Sequence, residues 1–466
     1  QCDGVNANVQ YVPGVGTLLS VYQPWASELS SLLSAYVPEM PSKPIDAAVA
    51  PLIPDTGTAT GAAISGALHA ALDSPALTGT PTAPTPAVGD SSGSIATTAF
   101  VGAAFMHWTA PTALNPWFAA LANREHEKAC AVFYGTSMTE GGPMITTSRL
   151  DRWLDRLAFD LHAKFPLRAP VPGSSGYIPS FYVSFPKGGS TQFGLTVPTG
   201  ATIPRALAVA GPGIGARSLE IAQAGDYMQF AFIGTGFDFL YNSRDVASSA
   251  ATITVDNGAA VALPVPSATN TQATYQGRGL TAGSHTVRVD WTAGHVDIQG
   301  VYPYNGDEAN GIHIWDAGKG SAKVSDGFTG TGAYWALSNI QPALVGFEFG
   351  YNEYFGGIAP ATFAANLATA VSNALAQITT PPSVLFLVWP RGGGADTYTY
   401  DYQAYVDAIY AQAASTANAV VVDFSERLPS PRVNNALGFF GVDTTHPADK
   451  GGAYIADTIL AVLSPH

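Results

Sequence analysis

Read for hydrophobic period alone, the chain changes rhythm more than once. In its last third, short and mainly apolar runs at 343–349, 384–389 and 419–424 alternate with longer stretches of helical period at 362–378, 402–414 and 447–463. Short runs of this kind suit strands covered on both faces, and strand alternating with helix predicts a parallel sheet flanked by helices. An earlier apolar run, Cys130 to Tyr134, ends on Gly135-Thr136-Ser137 and a Gly-rich turn. A helix follows over Arg149 to Phe165, with Leu150, Trp153, Leu154, Leu157 and Leu161 on one face. Between these two regions, from about Phe181 to Tyr304, the period drops to two. Val287, Val289 and Trp291 alternate with Thr286, Arg288 and Asp290, and similar runs cover Tyr227 to Tyr241 and Ala251 to Val255. Asp256-Asn257-Gly258 has the residues of a tight hairpin. Strands separated by turns, with no helix between them, predict an antiparallel β-sandwich inserted into an α/β domain.

The first hundred residues behave differently. Up to about residue 55 the chain is broken by Pro13, Pro24, Pro38, Pro41, Pro44, Pro51 and Pro54, with one short helical pattern at Ala26 to Tyr36, and reads as an extended arm. From Thr56 to about Val101 it is rich in Ala, Gly, Thr and Pro and almost uncharged, the composition of a linker. Over all 466 residues, 47% are apolar and 12% charged, with 49 Gly and 34 Pro, so core material is ample and turns are many. The formal net charge of -14, with no basic stripe, argues against nucleic acid or an anionic membrane as partner. No apolar run reaches spanning length. Cys2 and Cys130 imply no disulfide framework, Cys130 reading as a buried thiol. The sequence opens at Gln1 rather than Met, which leaves export by a leader open.

Candidate chemistry lies at the ends of the expected strands. Ser137 stands at the tip of a strand with a helix behind it, a way to present a nucleophile at the carboxyl edge of a parallel sheet. Phe349-Gly350-Tyr351-Asn352-Glu353 follows the run at 343–347, and Gly441-Val442-Asp443-Thr444-Thr445-His446-Pro447 leads into the last helix. Ser137 as nucleophile, His446 as its base and Asp443 as the group fixing the imidazole tautomer form a workable set. Asn352 would offer a side-chain N–H to an oxyanion, together with backbone amides near Ser137. Each has a plain structural reading when taken singly: Gly-Thr-Ser as a turn, His446 as a surface or capping residue, Asp443 as a solvated turn residue, Asn352 as an Asx-turn. Their order along the chain is what unites them. The other histidines lack metal-ligand spacing, and there is no His-Glu-x-x-His or Cys-x-x-Cys, so no metal or cofactor is expected. Gly392-Gly393-Gly394, after Trp389-Pro390-Arg391, suggests a loop at the catalytic edge touching substrate.

Gly135-Thr136-Ser137, Gly350-Tyr351-Asn352-Glu353 and Asp443-Thr444-Thr445-His446-Pro447 resemble blocks I, III and V of the SGNH (GDSL-like) hydrolases, over roughly residues 125–180 and 311–466. The resemblance implies a flavodoxin-like three-layer α/β fold and an esterase, lipase or carbohydrate deacetylase. Thr136 stands where the family often has Asp, and Glu353 replaces the Asp of the third block. Asp316-Ala317-Gly318-Lys319-Gly320-Ser321 resembles block II with its last two residues exchanged. The oxyanion amide then comes from Gly320 or Ser321, Gly320 being preferred and Gly176 a weaker competitor. Separately, Ala76-Leu77-Thr78-Gly79-Thr80-Pro81-Thr82-Ala83-Pro84 followed by Ser94 to Val101 resembles the short repeats of bacteriophage tail-fibre and tail-collar proteins. That implies a virion protein acting outside the host cell, a homotrimer, and contact with other tail or baseplate proteins.

The expected layout is an extended arm at 1–55, a stalk or linker at 56–110, a first hydrolase segment at 111–185, an inserted sandwich at 186–310 and a second hydrolase segment at 311–466. The expected activity is removal of O-acetyl groups from host surface polysaccharide by Ser137, His446 and Asp443, with Ser137, Gly320 and Asn352 holding the oxyanion. The sandwich aromatics Trp291, Tyr302 and Tyr304 either hold sugar or belong to the core. A silent glycan-binding fibre and a lipid or general carboxylesterase are the alternatives.

Overall fold

The strand that ends at Ser137 lies inside a six-stranded sheet. In the computed structural model this sheet comprises β1 (His107–Trp108), β2 (Lys128–Gly135), β13 (Gly311–Gly318), β14 (Leu344–Glu348), β15 (Ser383–Val388) and β16 (Ala419–Asp423). Their order is β1-β16-β15-β14-β2-β13, parallel throughout except for β1. The residues described are 107–108, 112–141, 148–184, 194–196, 213–243, 248–266, 271–391, 398–428 and 437–465. The arm at 1–55, nearly all of 56–110, and Gly392 to Gly394 lie outside them. Everything described belongs to one compact unit, Pro84–His466.

The helices are α1 (Asn115–Asn123), α2 (Ser137–Glu140), α3 (Trp153–Lys164), α4 (Leu337–Ile340), α5 (Tyr351–Phe355), α6 (Pro360–Leu375), α7 (Gln403–Ser415), α8 (Phe424–Arg427) and α9 (Asp449–Leu463). Alternate residues of each strand serve opposite layers. Val132 and Tyr134 pack with Phe363 and Leu367 of α6 and Tyr405 and Ile409 of α7. Ala131 and Phe133 pack with Trp117 of α1, Leu157 of α3 and Ile455 of α9. This double covering is why the strands are apolar on both faces, each fully buried Val, Leu or Phe contributing roughly 1.5–3 kcal/mol. Among the described residues no helix is long and apolar enough to cross a membrane.

The helix expected over 149–165 forms in two pieces. Ser148 and Asp151 close a capping box around a 3-10 turn at Arg149–Asp151. Arg152 then turns extended, and α3 begins at Trp153. The Arg152 guanidinium is drawn into the interior, 2.5 Å from the Asp316 carboxylate. The break rotates Leu150 off the buried face, leaving it 38% exposed, whereas Trp153, Leu154, Leu157 and Leu161 are buried as their period requires.

The other strands form two antiparallel sheets. One holds β3 (Ile178–Pro179), β5 (Leu219–Ile221), β7 (Gly236–Ser243), β10 (Thr271–Gly277) and β12 (Val296–Tyr304). The other holds β4 (Leu195–Thr196), β6 (Tyr227–Gly234), β8 (Ala250–Val255), β9 (Val261–Ala262) and β11 (Gly283–Ala293). Phe239 and Val301 from the first and Phe230, Ile253 and Val289 from the second bury into a common cluster. Pairing of β3 with β12 starts this antiparallel part before residue 186. Asp256 and Asn257 both take positive φ, 51° and 60°, the backbone that a primed hairpin turn needs.

Of the two roles left open for these sandwich aromatics, sugar contact or core, Tyr302 and Tyr304 take the core one. They are 0% and 1% exposed, and the Tyr302 ring lies 4.2 Å from that of Trp315 in β13, so they join the antiparallel layer to the edge of the parallel sheet. Trp291 is half-buried, its indole N–H donating to the Gly294 carbonyl at 2.8 Å.

Candidate active site

The strand order fixes where a site can form. From β2 the sheet runs one way to β13 and the other way to β14, so β2 stands at the switch point, where open α/β sheets leave a crevice beyond their carboxyl ends. Gly135 is level with Gly318 on one side and Glu348 on the other. The chain therefore reaches Ser137 with both neighbouring strands ending beside it.

Local chemistry holds that turn. Thr136 caps α2, its Oγ1 accepting from the Met138 N–H at 3.3 Å. The buried Glu348 carboxylate accepts from the Thr136 N–H at 2.8 Å and from the hydroxyls of Thr136 and Thr139. Burial pushes the Glu348 carboxyl up to about 7, against those hydrogen bonds. Gly135 has to be glycine, since a Cβ there would lie 2.3 Å from Thr139 Oγ1 and 2.7 Å from Glu348 Oε2. From the other side, the Trp153 indole N–H donates to the Met138 carbonyl at 2.7 Å, and the Tyr182 hydroxyl oxygen lies 3.2 Å from the Glu140 carbonyl oxygen.

The structure brings Ser137, His446 and Asp443 together. Ser137 Oγ is 2.8 Å from His446 Nε2, and His446 Nδ1 is 2.7 Å from Asp443 Oδ2. The carboxylate can only accept, so Nδ1 carries the proton and Nε2 is left to accept from the serine hydroxyl. Three residues suffice for the Asp-to-His reach because the loop curls tightly. Asp443 Oδ1 takes the backbone N–H groups of Thr445 and His446, both at 3.0 Å, Thr444 sits at φ 55°, and the Gly441 N–H donates to the His446 carbonyl at 2.8 Å. Partial burial pushes the Asp443 carboxyl up, but the hydrogen bonds from His446 and Thr445 outweigh it and hold it below its ordinary value. Such a chain can raise the nucleophilicity of a hydroxyl and return the proton to a leaving group.

The other candidates lie around this line. Asn352, in α5 at the end of β14, donates from Nδ2 to the Ala322 carbonyl at 2.8 Å, tying itself to the loop that leaves β13. Glu353 clasps the same region, accepting from the N–H groups of Val324 at 2.6 Å and Gly350 at 3.0 Å. In the β13 loop, the Lys319 N–H donates to the Gly135 carbonyl at 2.9 Å. Gly320 backs onto Glu140, where a Cβ would come within 2.3 Å of Oε2, and Ser321 takes the left-handed conformation at φ 58°. Gly176 drops out as an oxyanion donor: its N–H is given to Ser174 Oγ at 3.0 Å, and it lies against the middle of β13 at Ile314.

A buried charge network behind the serine turn escaped the sequence. Asp316 accepts from Arg152 and from the Tyr182 hydroxyl, while Arg217, from the antiparallel part, pairs with Glu140 in α2. Burial pushes the Asp316 carboxyl up to about 7, opposed by Arg152 and by the Gly318 N–H. Only the polar character of these positions inside apolar surroundings could have pointed to them.

Residues 280–454 match the family model of the GDSL-like Lipase/Acylhydrolase family, a span that includes Asn352, Asp443 and His446. The chain carries a GDSL-like (SGNH) hydrolase domain. The solved structure "Peptidoglycan O-acetylesterase in action, 5 min" is similar in fold to this chain, with a TM-score of 0.56 and 14% identity, covering 77% of this chain and 98% of that one. A family two carbohydrate esterase from Clostridium thermocellum, in complex with cellohexaose, matches at 14% identity over 53% of this chain and 94% of its own, with a TM-score of 0.27. The structure of TesA matches at 26% identity over 34% of this chain and 82% of its own, with a TM-score of 0.28. These last two superpose too loosely to bear on the site of the SGNH domain. No curated protein matches the chain.

Proposed function

We propose that this SGNH domain is a serine esterase that removes O-acetyl groups from a polysaccharide. The observation that carries the reading is the hydrogen-bonded line from Ser137 Oγ through His446 to Asp443 at the switch point of the sheet. Ser137 Oγ attacks the ester carbonyl carbon while its proton passes to His446 Nε2. The tetrahedral oxyanion is held by the Asn352 side-chain N–H, the Ser137 amide and an amide of the β13 loop, Gly320 or Ser321. Collapse breaks the C–O bond to the sugar, His446 returns the proton to the departing hydroxyl, and acetyl-Ser137 remains. Water then attacks the acyl carbon, gives a proton to His446 and releases acetate as Ser137 recovers its hydrogen. Asp443 keeps Nδ1 protonated throughout and stabilises the imidazolium.

The carbohydrate ester is chosen for two reasons. The tail-fibre-like wording at residues 76–101 suits a protein that meets host surface glycans first, and the structure similar in fold is, by its name, an esterase of acetylated peptidoglycan. In this reading the chain works as a homotrimer on a phage tail beside other tail proteins, outside the host cell.

The test incubates the protein and Ser137→Ala with a chromogenic acetyl ester and with acetylated host polysaccharide, and follows acetate. Release by the parent and none by the variant is expected. A parent inert on both substrates would sink the esterase reading. Preference for long acyl chains would make it a lipid or general carboxylesterase, and unchanged release by Ser137→Ala would remove the serine from the mechanism.

A further inference from the structure

A second cavity lies at the opposite end of β2 from Ser137. It is bounded by the amino-terminal ends of β2 and β13, by β7 and β10 of the antiparallel sheet, and by α4, and it measures about 540 Å³. That size falls within the range of small-molecule sites. Lys128 and Gly135 are the two ends of β2, so the cavity and the serine turn are separated by roughly 23 Å at about 3.3 Å per residue. The mechanism above uses none of its lining.

Its polar lining is incompletely paired. Among the described residues, both amide atoms of Gln272, in β10, are buried without a hydrogen-bond partner, and so is Nδ1 of His313, a residue with 0% exposure. His313 directs Nε2 to the Asp307 carbonyl at 3.1 Å, so Nε2 carries the hydrogen and Nδ1 presents a bare lone pair. Trp315 Nε1, also in the lining, is unpaired among the described residues too, and since buried polar groups ordinarily find partners, four open positions around one cavity are informative. Gln276 and Asn339 stand exposed at its mouth, so the interior is reachable from solvent.

The charges, by contrast, are already matched. Lys128 Nζ donates to the Tyr304 hydroxyl at 3.0 Å and lies 4.2 Å above that ring, and the Tyr304 hydroxyl donates to Asp238 at 2.6 Å. Asp238 also takes Arg278 at 2.5 Å. An added anion would face Asp238 and an added cation would face Lys128 and Arg278. What remains on offer is one amide able to give and accept, one ring nitrogen able only to accept, the Trp315 indole N–H able only to give, and apolar wall from Leu240, Ala336 and Ile340. Groups that give and accept at once, on a compact uncharged frame, are hydroxyls of a sugar.

We propose that this cavity is a second ligand site for a neutral, hydroxyl-rich saccharide unit, independent of the ester-cleaving site. It rests on the polysaccharide-esterase reading only for the choice of probes. Binding is measured in the full chain carrying Ser137→Ala, so that no turnover is required, by saturation-transfer NMR and calorimetry. The probes are cellobiose, maltose and diacetylchitobiose, with a glucuronate-containing disaccharide as the anionic arm. At least one neutral disaccharide is expected to bind, with Kd raised about tenfold or more by Gln272→Ala and raised less by the mouth variant Gln276→Ala. Should Gln272→Ala fail to fold, Gln276→Ala and Asn339→Ala carry the comparison. Absence of binding by every neutral probe, binding by the anionic probe alone, or affinity indifferent to all three positions overturns the proposal. Acetate release by the parent chain is scored separately, so failure here and failure of the esterase reading are told apart.

Discussion

Replacing Arg217 with Met should unseat the serine turn from behind. Arg217 and Glu140 are 5% and 4% exposed, and their ion pair joins the antiparallel part to the turn of α2 that follows Ser137. The guanidinium is otherwise held by the rings of Phe181 and Tyr182, at 5.0 and 5.3 Å, while its Nε and Nη2 are buried with no hydrogen-bond partner among the described residues. Removing one member leaves the Glu140 carboxylate buried and uncompensated, which costs about 3–5 kcal/mol. Because the pair is itself poorly satisfied, the double variant Arg217→Met with Glu140→Gln should recover most of that loss, and a buried pair replaced by neutral groups is often neutral or better by about 1–4 kcal/mol. Urea unfolding of the parent, both single variants and the double variant completes a mutant cycle, with acetyl-ester turnover measured on each. A coupling of about 2 kcal/mol or more, with turnover falling in Arg217→Met and partly returning in the double variant, is the expected result. If Arg217→Met costs less than about 1 kcal/mol, the pair behaves like a solvated surface contact and the buried-charge argument is wrong.

Further outcomes follow from the same geometry. Asp443→Asn can no longer fix the tautomer of His446, so kcat should fall roughly 10⁴-fold with KM little changed in steady-state assays. Asn352→Ala removes an oxyanion donor and should cost about 10²–10³ in kcat; a loss confined to KM would argue against that role. Glu348, with its carboxyl raised from 4.5 to about 7, keeps a proton in the native state that the unfolded chain has released. Stability should therefore fall as pH rises from about 4.5 to 7, by up to roughly 1.4 kcal/mol per unit, and Glu348→Gln should flatten that slope in urea midpoints compared at either end of the window. Ser321→Gly relieves a left-handed serine at φ 58° and should raise stability by roughly 1 kcal/mol in the same assay, with hydrolysis retained.

What could be read from the sequence was whatever has a local cause. The apolar runs at 384–389 and 419–424 became β15 and β16 nearly residue for residue, because strands covered on both faces leave an unmixed signal. Ser137, Asn352, Asp443 and His446 were found by their positions at strand ends, and three of the four meet within hydrogen-bond distance. The helix break at Arg152 was not legible, since its cause is a carboxylate 164 residues away. Nor was the support of the serine turn, where Glu348 and Arg217 act from 212 and 77 residues' distance. Tyr302 and Tyr304 could not be divided between core and sugar contact for a related reason: the second covering of β12, against β13, is a tertiary contact that no local pattern shows.

The hydrogen bond between Ser137 and His446 spans 309 residues, with both antiparallel sheets in between. Contacts this distant in sequence are the slow ones to form, because a long loop must be closed before they bring any gain. A chain emerging from the ribosome would present its serine long before its base, which comes only after β16 and just ahead of the α9 that settles against α3. Hydrolysis is thus withheld until His446 and α9 have been made, and the first turnover marks the moment at which the α/β sheet has closed around everything threaded through it.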